Sequence, residues 1–270
     1  MLKTRVITAL LLVAGLALIL FALPPLAAVL GFAAIAALAA WEWGGLMRQD
    51  QPARFMYAFV LLLFCWQLTV AAPQLVPVLL GVAAAFWILV VPLWFRFKWT
   101  LAGNDFFGYL LGALVILSTW AAMVALHAAG TWLLLAAMAL VWVADISAYF
   151  AGRAFGKHGK HKLAPTISPG KTWEGVAGAV VGVMIYGGIV FNYSPLAGQV
   201  PLPVPLLVLL LILLTAVSVM GDLFESLLKR QAGIKDSSNL LPGHGGILDR
   251  IDALTSTLPV AALILYFVRT

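Results

Sequence analysis

Apolar residues run along this chain in long unbroken stretches with short polar interruptions, a pattern produced neither by an amphipathic helix of a soluble domain nor by an alternating strand. Stretches bounded by charge, proline or glycine predict nine helices, at about 6–23, 25–46, 55–72, 75–95, 106–126, 131–150, 174–193, 204–224 and 251–268. Each is close to the roughly 20 residues that a helix needs to cross a bilayer. The expected fold is all-α: a polytopic integral membrane protein with about nine transmembrane helices, one membrane domain over residues 1–270. Nine spans take about 180 residues, so a large extramembrane domain is excluded. The first stretch follows Lys3 and Arg5, but it is too long for a signal-peptide core and no small-x-small cleavage site follows it.

Composition agrees with the pattern. The chain is 64% hydrophobic and 10% charged, against roughly 25% charged in an ordinary soluble domain. The apolar excess must face lipid. The single cysteine, Cys65, sits in an apolar run, so there is neither a disulfide framework nor a cysteine metal site.

Charge adds an orientation. Fifteen of the sixteen Lys and Arg fall before the first span, after the second, fourth and sixth, or between the eighth and ninth; only Arg269 lies on the other side. The positive-inside rule then predicts a cytoplasmic N-terminus and an external C-terminus. No internal repeat is evident, and an odd number of spans does not divide into the two halves of an inverted-repeat transporter. The proline-rich stretch 194–205 reads as a short external loop.

The scarce polar residues gather in two places, and seven of the ten acids lie there. The first holds Asp145 inside an apolar run, then a glycine- and lysine-rich loop at 151–173 with Arg153, Lys157, Lys160, Lys162, Ser168 and Lys171, and Glu174 directly after it. An ionisable group at the depth of Asp145 costs a few kcal/mol unless it meets a partner, water or a metal, so it is a functional candidate. The loop is expected to be flexible and to offer backbone N–H and ammonium groups to phosphates. Gly170-Lys171-Thr172 is similar to the tail of a P-loop, but the upstream glycines and the preceding strand are missing.

The second place, 221–252, is denser. Asp222 and Glu225 are three apart leaving the eighth span, and Asp249 and Asp252 three apart entering the ninth, so each pair shares a helix face. Four carboxylates at one rim repel unless a hard cation neutralises them, and Mg²⁺ is such a cation. The helix dipole at the start of the ninth span is a second reason for Asp249 and Asp252. Between the pairs, Pro242-Gly-His-Gly-Gly246 allows tight turns that expose backbone donors to an anion. His244 fits a phosphate donor, a proton carrier or a plain loop histidine. The sum predicts a Mg²⁺-dependent reaction on a phosphate substrate at the cytoplasmic membrane surface. No Ser/His/Asp or Cys/His set supports a covalent mechanism.

The stretch Ser226-x-Leu-Lys-Arg-x4-Lys235-Asp236-x-Ser-x2-Leu-Pro-x-His244-Gly-Gly-Ile-x-Asp249-Arg250-Ile-Asp252 resembles the signature of the phosphatidate cytidylyltransferase (CDP-diacylglycerol synthase) family. The block from Asp145 through Ser168-Pro-x-Lys171-Thr-Trp-Glu174-Gly175 is similar to that family too. The N-terminal spans are generic apart from Glu42 between Trp41 and Trp43. The resemblance implies transfer of CMP from CTP to phosphatidate in phospholipid biosynthesis, in the bacterial inner membrane. It implies Mg²⁺, a monovalent cation such as K⁺ beside it, a homodimer, contact with membrane lipids and no nucleic-acid partner.

Carried onto this chain, it puts the metal on Asp222, Asp249 and Asp252. Lys235, Arg250 and Asp145 join these as candidate catalytic residues. Lys229, Arg230, His244, Gly245, Gly246, Ser168, Lys171 and Glu174 become candidate substrate-binding residues. Helices of about 1–126 then form a scaffold, and helices of about 131–270, with cytoplasmic loops 151–173 and 225–250, the catalytic part. The rivals are a cation-coupled transporter using Asp145 and Glu42 as carriers, and another metal-dependent lipid-phosphate transferase.

Overall fold

The computed structural model describes residues 2–101, 103–156, 161–193 and 202–269. Residues 194–201 of the expected external loop, and Lys157, His158, Gly159 and Lys160 of the basic loop, lie outside the described residues. Among the described residues, nine helices are long and apolar enough to cross a membrane. The elements are α1 (Leu2–Ala17, continued by a π turn over Leu18–Ala22), α2 (Pro25–Leu46), α3 (Gln51–Val70), α4 (Val76–Ala85) and α5 (Val91–Phe97). They continue with α6 (Asp105–Ala129), α7 (Thr131–Phe155), β1 (Lys162–Ala164), β2 (Ser168–Thr172), α8 (Trp173–Tyr193), α9 (Val204–Gln231) and α10 (Leu248–Arg269). A π turn over Phe86–Val90 joins α4 and α5 into one span.

Local chemistry sets many boundaries. Asp50 accepts from the Ala53 amide to start α3, and Asn104 accepts from Phe107 to start α6, each satisfying one of the orphan donors of a first turn. Gly130 alone links α6 to α7, with φ +156°, a backbone state that costs glycine little.

At the basic end the helices outrun the apolar stretches that announce them. α7 continues to Phe155, α9 to Gln231, and α10 begins at Leu248. Hydropathy follows lipid contact, whereas the helical hydrogen-bond ladder continues into polar sequence. Asp222, Glu225 and Lys229 therefore stand on one helix, and all of 225–231, within the expected loop 225–250, is helical. The expected flexible loop after α7 also differs: Lys162 pairs with Thr172 and Ala164 with Ser168 in a short antiparallel hairpin. It turns through Pro165-Thr166, closed by the Ile167 amide on the Ala164 carbonyl at 3.1 Å.

α6 and α10 are the most buried spans and α1 the least, so the first two form the centre of the bundle. α8 lies on α7 through small residues: a side chain added at Gly175 or Gly178 would come within 3.0 Å of the Ala148 or Ser147 carbonyl. Close backbone approach through such residues is how helices associate where lipid removes the hydrophobic drive. α9 is anchored by Phe224, whose ring meets Phe86, Trp87 and Trp94 edge-on at centroid distances of 5.4–5.6 Å. Pro259 sits within buried α10 and leaves the Thr255 carbonyl without its helical donor. Thr119 Oγ1 of α6 lies 3.4 Å from that oxygen.

Candidate active site

The site is assembled at the end of the bundle where α9 leaves and α10 begins. Asp222, Glu225 and Lys229 recur at i, i+3 and i+7 along α9 and so share a face. Asp249 and Asp252 open α10 with the same spacing. Gly221 lets the two helices touch: an added Cβ would lie 2.9 Å from the Asp252 carbonyl.

Lys229 bridges the pairs, its Nζ 2.5 Å from Asp249 Oδ1 and 3.2 Å from Glu225 Oε2. The other Asp249 oxygen, Oδ2, accepts from the Ser237 amide at 2.9 Å, Ser237 Oγ at 2.9 Å and the Gly246 amide at 2.8 Å. Asp249 is thus engaged on both oxygens by four donors. Asp252 accepts through Oδ1 from the Ala253 amide of its own helix.

The return loop from α9 to α10 is bent to serve these contacts. Gly243 and Gly245 have φ of +78° and +80°, the left-handed state that glycine adopts without penalty. Space is a second demand. A Cβ at Gly245 would lie 2.6 Å from Asp249 Oδ2, and one at Gly246 would lie 2.5 Å from Glu42 Oε1. Glu42, from α2, is fully buried and accepts from Ser238 Oγ (2.6 Å) and the Ile247 amide (2.9 Å) on Oε1. Its Oε2 accepts from Ser237 Oγ (3.2 Å) and the Leu248 amide (2.6 Å). α1 also touches the loop, through Thr8 Oγ1 on the Pro242 carbonyl at 3.0 Å.

A second wall faces this one. A cavity of about 480 Å³ lies between α7, the hairpin, α8 and α9, and Asp145, Arg153, Lys162, Ser168, Lys171 and Asp222 line it. Lys171 of β2 reaches across to Asp222, Nζ to Oδ2 2.5 Å, so Asp222 is the residue where the two walls meet. Arg153 donates to Tyr149 Oη at 3.0 Å. Neither cation pairs directly with Asp145, whose carboxylate takes no donor among the described residues.

The remaining candidates stand around these walls. Arg230 donates to the Ile234 carbonyl at 3.2 Å and lies 3.5 Å from that of Ile167, so it ties the end of α9 to the hairpin. Glu174 pairs with His161 at 2.8 Å at the start of α8. Lys235 and Arg250 are exposed. The His244 amide donates to the Leu241 carbonyl in the 241–245 turn, while its ring Nδ1 is buried without a partner among the described residues.

The donor set suits Mg²⁺. Asp145, Asp222, Glu225, Asp249 and Asp252 gather with Lys171 and Lys229 as the described counter-charges in contact, so carboxyl groups outnumber ammonium groups there. Among the described residues no three acidic, His or Cys side chains converge tightly enough to ligate one ion by themselves. One or two carboxylates completed by substrate oxygens and water is the usual manner for Mg²⁺.

Sequence reasoning gave Glu42 no part in this site. Its signal was a carboxylate inside an apolar run, which marks function by default.

The sequence profile of the Cytidylyltransferase family matches residues 3–268. The chain is 41% identical over 274 residues to the phosphatidate cytidylyltransferase of Pseudomonas aeruginosa, covering 98% of this chain and 97% of that one. It is 36% identical over 292 residues to that of Haemophilus influenzae, covering 99% and 100%. A shorter match to the Bacillus subtilis protein of the same name is 42% identical over 123 residues, 46% of this chain and 43% of the relative.

Proposed function

Because this chain belongs to the cytidylyltransferase family, we propose that it is a phosphatidate cytidylyltransferase: a multi-pass membrane enzyme that converts CTP and phosphatidate to CDP-diacylglycerol and pyrophosphate. The observation that carries this reading is the meeting of two walls at Asp222, one bearing Asp249 and Asp252 and the other bearing Lys171.

In the reaction a phosphate oxygen of phosphatidate attacks the α-phosphorus of CTP in line. The new O–P bond forms as the bond to the bridging oxygen breaks, and pyrophosphate leaves with that electron pair. The nucleophile is already ionised, so no strong general base is required, and catalysis is positioning with charge neutralisation. Asp222 and Asp252 are the carboxylates proposed to hold Mg²⁺, with Asp249 close by but spoken for by Lys229, Ser237 and Gly246. When bound, the metal supplies positive charge to the triphosphate and to departing pyrophosphate.

Lys171 stands at the border of the cavity where a phosphate would displace it from Asp222, and Lys162 and Arg153 add positive charge to the same wall. Ser168 and Asp145 complete that wall. A cation-coupled transporter would need Glu42 free to load and release an ion, and four protein donors on its carboxylate speak against that.

The distribution of Lys and Arg supports a cytoplasmic site, and the bacterial source of the relatives supports the bacterial inner membrane. A reporter fused after residue 270 should then read as external, and a cytoplasmic reading would contradict the orientation. A homodimer and a monovalent cation such as K⁺ belong to the same proposal.

The function is tested by incubating purified protein with labelled CTP, Mg²⁺ and phosphatidate. A lipid-linked CMP and one pyrophosphate per lipid are expected; CTP left intact would overturn the proposal.

A further inference from the structure

We propose that Glu42 is a positioning residue for the transfer site. From α2 it fixes the return loop and the first turn of α10, and so sets where Asp249 and Asp252 stand relative to Asp222. The proposal rests on the site being the transfer site described above.

The argument starts from burial. A fully buried carboxylate inside an apolar helix is expensive unless donors satisfy it, and Glu42 is satisfied entirely by the return loop and the start of α10: two serine hydroxyls and two backbone amides. The two amides, Ile247 and Leu248, belong to the exposed-donor end of α10, where a negative charge is favoured by the helix dipole. Glu42 thus caps α10 from a different helix about 200 residues away in sequence.

The hold continues toward the chemistry. Ser237 Oγ lies within hydrogen-bond distance of both Glu42 Oε2 (3.2 Å) and Asp249 Oδ2 (2.9 Å). Asp249 in turn holds Lys229, and Lys229 reaches Glu225. One turn beyond Asp249 stands Asp252. A shift of the Glu42 carboxylate therefore moves the start of α10 against α9. The glycine at 246 follows from the same contact, because any side chain there would occupy the place of Glu42 and Ser237.

The charge, and not only the bulk, is required. Each Glu42 oxygen accepts one backbone N–H: Oε1 from Ile247 and Oε2 from Leu248. In Glu42→Gln the side-chain NH₂ must face one of these amides in either orientation. A serine hydroxyl can turn away from it, but a backbone N–H cannot, so the loop must move.

The test compares wild type with Glu42→Gln and Glu42→Asp in detergent by steady-state kinetics and by hydrogen exchange of the intact protein. For Glu42→Gln we expect kcat to fall about 10²-fold, the scale of an ångström-sized misplacement, with KM for CTP and phosphatidate moving less than about threefold. Amides of 236–249 should exchange faster, while α3, α6 and α8 keep wild-type protection. Glu42→Asp keeps the charge but is shorter, and should recover part of kcat and of the protection. Unchanged kcat and protection in Glu42→Gln would overturn the proposal. So would loss of protection spread evenly over the bundle, which marks a general stability role. If wild type itself transfers no CMP, the transferase reading fails; local loss of protection at 236–249 in Glu42→Gln then still reads the hold on the loop.

Discussion

On the α9 and α10 side of the site, Asp249 takes four donated hydrogen bonds and Lys229 links two carboxylates. On the α7 side, Asp145 lines the cavity with no donor among the described residues, and Lys171 has Asp222 as its ion-pair partner. The two walls carry the same kinds of group but are held differently. Groups held in advance need no reorganisation when charge develops, which is the condition for strong electrostatic stabilisation. Groups left open are those a ligand can recruit. In the proposed transferase the tied wall sets geometry and the open wall meets substrate.

Substitutions can break this division. Asp222→Asn strikes the residue that joins both walls, and transfer should fall on the order of 10³-fold, as when a preorganised electrostatic group is lost. The protein should remain inserted and monodisperse; a loss below tenfold in the labelled-CTP assay would show that the walls work without it. Gly246→Ala strikes the tied wall alone, pushing a methyl against Glu42 and Ser237. It should lower stability by about 1–3 kcal/mol, the usual penalty of overpacking, and thermal unfolding in detergent reads this directly. Lys171→Ala strikes the open wall alone. The pair is about a quarter exposed on each side and its loss leaves Asp222 open to the cavity water, so unfolding should shift by no more than about 1 kcal/mol while KM for the phosphate substrates rises about tenfold. A large stability loss there, or unaltered KM, would erase the contrast between the walls.

Much of this was legible in the residues, for physical reasons. A span announces itself by about 20 apolar residues, so all nine helices were expected, with Pro24-Pro25 and Gly130 marking their breaks. The two acidic pairs were legible because spacing of three on a helix is a local rule. The hairpin at 162–172 was not: its strands are three and five residues long, and β2 contains Pro169 and Gly170, which weaken any strand signal. The extension of α9 beyond Glu225, through Lys229 and Arg230 to Gln231, was hidden because hydropathy falls where the helix leaves the apolar layer. Glu42 was the hardest. Its partners lie 195–206 residues away, and no local pattern links a helix near the start of the chain to a loop near its end.

In the proposed transferase Asp222 and Asp252 hold the Mg²⁺ that transfer requires, while Asp249 is kept in place by protein donors. Titrating Mg²⁺ in the labelled-CTP assay with wild type and Asp252→Asn side by side separates these roles. Wild type should give no labelled lipid in a chelator and regain product with Mg²⁺, and Asp252→Asn should give no product at saturating Mg²⁺. Wild-type turnover by Asp252→Asn with an unaltered Mg²⁺ dependence would contradict the metal role of Asp252.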